Sequence, residues 1–240
     1  MDFTAIIEAA KGGNQPMIHV INERNLNCHH LGVFGSSYNP VTTAHLELMR
    51  LAAEQFKLDR MLALAGIANA DKTSYDCPLE VRLQMLRLAT QDYSLYEIGL
   101  SSHPYFVDQL DALQTVYPDE TEFCFIVGLD TFERIVDRDD KYTRFYHRKF
   151  TDRSDSLEYL MNRSSLIVAS RAGEGLSEVQ ALTKLLPDAV RDKVFYLEFP
   201  ADLGEQSASE VRRKMRDGES VKGLVHPAVE RFIDEHRLYR

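Results

Sequence analysis

Short apolar runs alternate along this chain with segments whose apolar residues recur at helical spacing, and no other feature constrains the fold as tightly. Residues 31–34 (Leu-Gly-Val-Phe) lead into a turn cluster, Gly35-Ser36-Ser37-Tyr38-Asn39-Pro40, after which Thr42 and Thr43 open a helical pattern carrying Leu46, Leu48, Met49, Leu51 and Ala52. A second unit follows: a strand at 61–65, a polar loop over 69–77, and a helix opened by Pro78 with Leu79, Leu83, Leu86 and Leu88 on its face. A third has a strand at 93–100 and a helix from Pro104 with Phe106, Val107, Leu110 and Leu113. Residues 123–127 form a nearly continuous apolar strand of the kind buried on both faces, ended by Gly128-Leu129-Asp130. Beyond a basic stretch, the pattern predicts helix at 157–161, strand at 166–169, helix at 179–186, strand at 194–197, and helix throughout the last forty residues.

Strands separated by helices imply parallel βαβ units. The expected fold is therefore α/β, a doubly wound parallel sheet of Rossmann-like form with a helical C-terminal segment. Residues 1–30 read as an N-terminal extension, an amphipathic helix with Ile6 and Ile7, a Gly12-Gly13 break and an extended piece, and residues 31–240 as one domain. In such sheets ligands bind beyond the carboxyl ends of the strands, near the reversal of strand order, so the strand-to-helix loops are where a site is to be sought.

Composition narrows the function. With 44% apolar and 27% charged residues the chain carries enough apolar surface for a core and is neither disordered nor low-complexity. No apolar run approaches the roughly 18–20 residues a bilayer-spanning helix needs. Asp2, Glu8 and Lys11 interrupt the start, so neither a secretory nor an organellar presequence is expected and the expected location is cytoplasm, nucleus or both. Cys28, Cys77 and Cys124 have no CxxC spacing, which suggests neither a disulfide framework nor a zinc knuckle. A net charge of −9 speaks against nucleic acid and anionic membranes as partners. Against that background stand two basic knots: Arg138, Lys141, Arg144, Arg148, Lys149 and Arg153, and then Arg212-Arg213-Lys214 with Arg216. They suggest a small polyanion as ligand, although either is also what a solvated face looks like.

Two of the loops carry residues suited to phosphate. In the segment 34–45 small residues let a phosphate approach the backbone, Pro40 fixes the exit, and the helix start offers free N–H groups and a positive dipole end. His45 falls in that first turn; alone, it would read as a packed or solvated side chain. Farther on, Ser207-Ala208-Ser209-Glu210-Val211-Arg212 places hydroxyls and N–H groups at a helix start with an arginine one turn in. Standing by itself it would read as an N-capping serine with a solvent-facing arginine.

The first loop, 36–45, resembles the phosphate-binding loop of the nucleotidyltransferases related to class I aminoacyl-tRNA synthetases, G-(G/S)-x-F-x-P-(H/x)-x-x-H. It is most similar to the G-S-F-N-P-x-T-x-x-H version of eukaryotic nicotinamide mononucleotide adenylyltransferases, with Thr42 in place of the wider pattern's first histidine. Ser207–Arg212 is similar to the same family's S-S-T-x-I-R element. The strand 125–127 with Gly128-Leu129-Asp130 resembles its G-x-D strand end, and 168–173 its T-R-x-G strand end. Residues 223–239, closing on Leu238-Tyr239, are similar to its last helix, a packing feature. The resemblance runs from about residue 31 onward and leaves the first thirty residues uncovered.

Carried over residue by residue, the resemblance implies His45 and Arg212 as catalytic groups. It implies Ser36, Ser37, Tyr38, Thr42, Gly128, Asp130, Arg171, Ser207, Ser209 and Val211 as substrate-binding positions, with Phe106, Gln109 and Tyr146 where the family has its stacking aromatics and a polar neighbour. Lys72, which no motif fixes, adds a phosphate contact in the polar loop. The implied reaction is adenylyl transfer from ATP to nicotinamide mononucleotide, with nicotinate mononucleotide as a further acceptor, forming the dinucleotide NAD and pyrophosphate. Mg²⁺ is expected on the ATP phosphates rather than in a protein cage, and a homo-oligomer is compatible with the chain. The departures are Ser207-Ala208-Ser209 for S-S-T, Ser36 at the second loop position, and no tryptophan to stack on a pyridine ring. They keep two alternatives open: a transferase with another phosphorylated acceptor, and an ATP-binding adaptor or stress protein of the same fold.

Overall fold

The computed structural model describes residues 2–22, 27–67, 76–137, 150, 152–171, 175–200, 203 and 206–240. The chain opens with α1 (Thr4–Gly12) and β1 (Ile18–Val20). It then alternates through β2 (His30–Ser36), α2 (Thr43–Phe56), β3 (Arg60–Gly66), α3 (Leu79–Thr90), β4 (Tyr96–Ser101) and α4 (Phe106–Val116). The second half runs β5 (Glu122–Gly128), α5 (Leu129–Val136), α6 (Arg153–Met161), β6 (Ser164–Arg171), α7 (Leu176–Thr183), a 3₁₀ turn (Asp188–Lys193) and β7 (Val194–Phe199). Two helices close it, α8 (Ala208–Arg216) and α9 (Pro227–Glu235).

Seven strands form one sheet in the order β1-β4-β3-β2-β5-β6-β7, with all neighbours parallel except the β1–β4 pair. The chain winds outward from β2 through β3 to β4, then returns to the other side of β2 with β5 and continues through β6 to β7. The reversal point therefore lies between β2 and β5, whose register pairs Phe34 with Ile126. Helices cover both faces, as expected for a doubly wound sheet. Met49 (α2), Leu83 and Leu86 (α3), Val211 (α8) and Val229 and Ile233 (α9) pack into one core, and Leu110 (α4), Phe132 (α5), Leu160 (α6) and Val179 (α7) into the other. Each fully buried side chain of this size contributes roughly 1.5–3 kcal/mol of apolar burial. Gly32 in β2 is dictated by packing, since a Cβ there would sit 2.3 Å from the Met61 sulfur and 2.8 Å from Leu58 Cδ1.

Three features differ from the sequence expectation or extend it. Helix α5 follows β5 without an intervening loop, its buried Phe132, Ile135 and Val136 on one side, where a strand end and a loop were expected. The last forty residues are not continuous helix: the segment between α8 and α9 turns through Gly218 and Gly223, at φ +71° and +82°, values that glycine reaches without steric cost. The first thirty residues contribute a helix and a strand as expected. Both join the sheet: β1 pairs Ile18 with Ser101 of β4, and α1 buries Phe3, Ile7 and Ala10 in the core. Among the described residues no helix is long and apolar enough to cross a membrane.

Candidate active site

The loop between β2 and α2 lies at the reversal point of the sheet. Tyr38 anchors it from below: its backbone is left-handed (φ 45°), its side chain is fully buried, and its hydroxyl donates to the Phe34 carbonyl at 2.7 Å. The Tyr38 ring is thus part of the core, and a ligand contact at this substrate-binding position would fall to the backbone. Two arginines from distant elements hold the loop's carbonyls. Arg82 of α3, itself buried, donates to the Ser37 carbonyl at 2.6 Å, and Arg212 of α8 to the Asn39 carbonyl at 2.7 Å. Because C=O and N–H of one peptide point in opposite directions, turning the Ser37 carbonyl toward Arg82 turns the Tyr38 N–H away from it. Gly35 is exposed, and a Cβ there would meet nothing within 4 Å, so no packing inside the chain dictates glycine at the end of this central strand.

Helix α2 begins with a capping box. Thr42 is the N-cap, its hydroxyl accepting from the His45 N–H at 3.3 Å, and the His45 ring reaches back so that Nδ1 accepts from the Thr42 N–H at 3.0 Å. The Thr42 hydroxyl also lies 2.6 Å from that nitrogen. A backbone N–H can only donate, so Nδ1 is the acceptor and, in the neutral imidazole, the proton sits on Nε2. Nε2 points to the Ser36 hydroxyl, 3.2 Å away, and the ring is packed between Phe34 and Tyr38 with centroids 6.0 and 5.3 Å distant. The helix start is less open than the sequence implied. The Thr43 N–H donates to the Leu224 carbonyl at 2.9 Å and its hydroxyl to Gln206 at 2.8 Å, which ties the turn before α9 to the loop.

The late element closes over this loop. Ser207 caps α8, accepting from the Glu210 N–H at 3.1 Å, so its hydroxyl already serves the helix. Ser209 remains exposed and accepts from Arg212 Nη2 at 3.2 Å, while Arg212 Nε pairs with Asp76 at 2.9 Å. Val211 is fully buried and its N–H continues the helix to Ser207, which makes it a packing position rather than a contact. The late motif is thus hydrogen-bonded to the first loop by Arg212 on the Asn39 carbonyl, 173 positions earlier, which brings a guanidinium and the Ser209 hydroxyl to a loop that carries the Ser36 hydroxyl and the His45 imidazole, donors suited to phosphate oxygens.

Residues 33–214 match the cytidylyltransferase-like family, which spans more than half of the chain. The chain belongs to that family of nucleotidyltransferases. A probable nicotinate-nucleotide adenylyltransferase of Geobacter sulfurreducens is 30% identical over 229 residues, covering 87% of this chain and 97% of the relative. A relative of the same name from Dehalococcoides mccartyi is 28% identical over 216 residues, with 87% and 96% covered. Among solved structures, the nicotinic acid mononucleotide adenylyltransferase of Plasmodium falciparum complexed with NaAD superposes with a TM-score of 0.64 at 17% identity, over 88% of this chain and 97% of that one. That likeness bears on the fold.

Within this nucleotidyltransferase the other expected positions are distributed unevenly. Gly128 and Asp130 stand where β5 passes into α5, beside the β2 loop in the sheet; the Asp130 carboxylate folds back so closely that a Cβ on Gly128 would lie 2.9 Å from it. Asp130 is exposed and only loosely paired with Arg134, at 3.9 Å. Phe106 and Gln109 lie in the first turns of α4, which follows β4; Phe106 packs edge-to-face on Phe125 with centroids 5.5 Å apart, and Gln109 donates to the His103 carbonyl at 3.4 Å. Arg171 ends β6, but its side chain, like Lys72 and Tyr146, lies outside the described residues. Sequence reading missed Arg82, Asn39 and Asp76, all three attached to the loop or to Arg212. Arg82 carried a weak signal, a charged residue on an otherwise apolar helical face, but its partner Ser37 is 45 residues away.

The nucleotidyltransferase's cap is testable in isolation. Thr42→Val keeps the shape, and the residue's N–H to the imidazole survives, but the Oγ1 bonds are lost. A cap of this kind is worth about 1 kcal/mol, so in a chain of this size a fall of about 2–4 °C in thermal midpoint is expected by circular dichroism, with turnover reduced far less than by loss of His45 itself. An unchanged midpoint refutes the cap.

Proposed function

We propose that the chain transfers the adenylyl group of ATP to a pyridine mononucleotide, with nicotinate mononucleotide as the preferred acceptor. An acceptor phosphate oxygen forms a bond to the α-phosphorus, the bond from that phosphorus to the bridging oxygen breaks, and pyrophosphate leaves. The observation that carries this reading is the Arg212–Asn39 bond at 2.7 Å, which sets the late arginine and the His45 Nε2 side of the first loop around one site. Choice of the nicotinate acceptor rests on the names of the relatives, which moves the preference away from the nicotinamide mononucleotide expected from sequence.

The chemistry needs no covalent intermediate, so the residues act by positioning and by stabilising charge on phosphate oxygens. His45 donates from Nε2, Arg212 and Ser209 hold triphosphate oxygens from the other side, and the Ser36-Ser37 backbone supplies further donors. Asp130 is placed to accept from a ribose hydroxyl, and Phe106 offers a partly open ring to the acceptor's base. The hydroxyls of Ser36 and Ser209, the His45 imidazole and the Arg212 guanidinium are groups that fit phosphate oxygens. Carried in on the triphosphate, Mg²⁺ would neutralise developing charge and keep its own waters.

A pyrophosphate-release assay with Mg-ATP and either nicotinate mononucleotide, nicotinamide mononucleotide or no acceptor, with chromatography of the product, tests the reading. Release that depends on a pyridine mononucleotide and yields its dinucleotide is expected, faster with nicotinate. ATP binding without release in any arm overturns it in favour of a binding protein or a different acceptor.

A further inference from the structure

The pair Leu238-Tyr239 after α9 reads from sequence as packing. The structure gives Tyr239 more to do. Its backbone is left-handed at φ 64°, a strained conformation for a bulky residue, which persists only where surroundings enforce it. Its hydroxyl donates to Asn39 Oδ1 at 2.8 Å and lies against the Cys77 thiol. Burial pushes that hydroxyl well above the ordinary tyrosine range, so it stays protonated as a donor.

From Asn39 the contacts lead to the arginine by two routes. The carboxamide Nδ2 faces Asp76 Oδ2 at 3.4 Å, the same oxygen that receives Arg212 Nε at 2.9 Å, and the Asn39 carbonyl receives Arg212 Nη1 at 2.7 Å. A carboxylate only accepts, so it holds the Asn39 amide with nitrogen toward Asp76 and oxygen toward Tyr239. Asn39, Asp76 and Arg212 thus close a ring that Tyr239 pins from the α9 side. Together with the Ser209 hydroxyl, the ring holds the guanidinium by one hydrogen bond from each terminal nitrogen and by the ion pair of Nε with Asp76, and each terminal nitrogen carries a second N–H that can meet a ligand.

We infer that Tyr239 is a positioning residue: through Asn39 and Asp76 it fixes the plane in which Arg212 meets the triphosphate. The inference rests on the proposed transfer from ATP for its catalytic meaning, but its first readout is ATP binding alone.

The test compares Tyr239→Phe in two backgrounds, the natural chain and Arg212→Ala, by calorimetric titration with Mg-ATP and by the KM for each substrate. Loss of one hydrogen bond in the ring is expected to weaken Mg-ATP binding and raise the KM for ATP about three- to tenfold, with the KM for the mononucleotide little changed and a fall of about 2–4 °C in the thermal midpoint from the unpaired Asn39 oxygen. In the Arg212→Ala background the same substitution is expected to have no further effect, because the route runs through the arginine. The same factor in both backgrounds, or unaltered ATP affinity with a lowered thermal midpoint, overturns the inference and leaves Tyr239 a packing residue. Wild-type protein that binds Mg-ATP but transfers nothing refutes the proposed function, while the binding comparison still decides this point. Wild-type protein that binds no Mg-ATP overturns both.

Discussion

His45→Ala is expected to lower kcat for adenylyl transfer several hundred-fold without unfolding the chain. The Thr42 N–H on Nδ1 at 3.0 Å places the imidazole proton on Nε2, and Nε2 faces the Ser36 hydroxyl at the loop's mouth, where a phosphate oxygen would take over the bond. A donor held in place before the reaction needs no reorganisation as charge develops, and removing one such donor costs about 10²- to 10³-fold in kcat. Alanine is well tolerated in a first helical turn, and Thr42 still caps the helix through its hydroxyl, so circular dichroism should show a native spectrum. Turnover within about threefold of wild type would remove His45 from the chemistry. A loss confined to the KM for ATP would assign it to ground-state binding instead.

Arg212→Ala is expected to reduce kcat/KM for ATP by at least about 10²-fold, with both terms affected. The side chain is 17% exposed and serves the Asn39 carbonyl, Ser209 and Asp76 at once. Its removal takes a charged donor from the phosphates, and it also leaves the Asp76 carboxylate without its cation and the loop carbonyl without its donor. Arg212→Lys should recover only part of the loss, because an ammonium group is a single point of charge and cannot hold the loop and a phosphate in one plane. Equal activity of Arg212→Lys and wild type would show that the guanidinium geometry is immaterial. Unlike the histidine substitution, the alanine variant should also melt earlier, since it disconnects α8 from the β2 loop.

What could be read from the sequence was local. Thr42 and Thr43 open a helical pattern with His45 in its first turn, and the structure adds that the imidazole closes the cap on Thr42. The order of strands and helices was legible for the same reason, since each element declares itself by the period of its own apolar residues. Helix α5 escaped because it leaves β5 directly, with Gly128 as its N-cap and no polar loop to separate the two periods. The burial of the Tyr38 ring was not legible, because its φ of 45°, fixed by the surrounding fold, turns the ring inward.

The sequence by itself determined the alternation of elements, hence the doubly wound sheet, and the two phosphate-suited segments in their order along the chain. Only the tertiary structure decided that Arg82 and Arg212 hold carbonyls of the first loop, that Leu224 takes the Thr43 N–H, and that Tyr239 reaches Asn39 from 200 residues away. Those contacts join residues whose separation along the chain bears no relation to any helical or strand period. They exist because winding the sheet outward and then back brings the ends of distant βα units to one end of the sheet, where burial favours a partner for most polar groups.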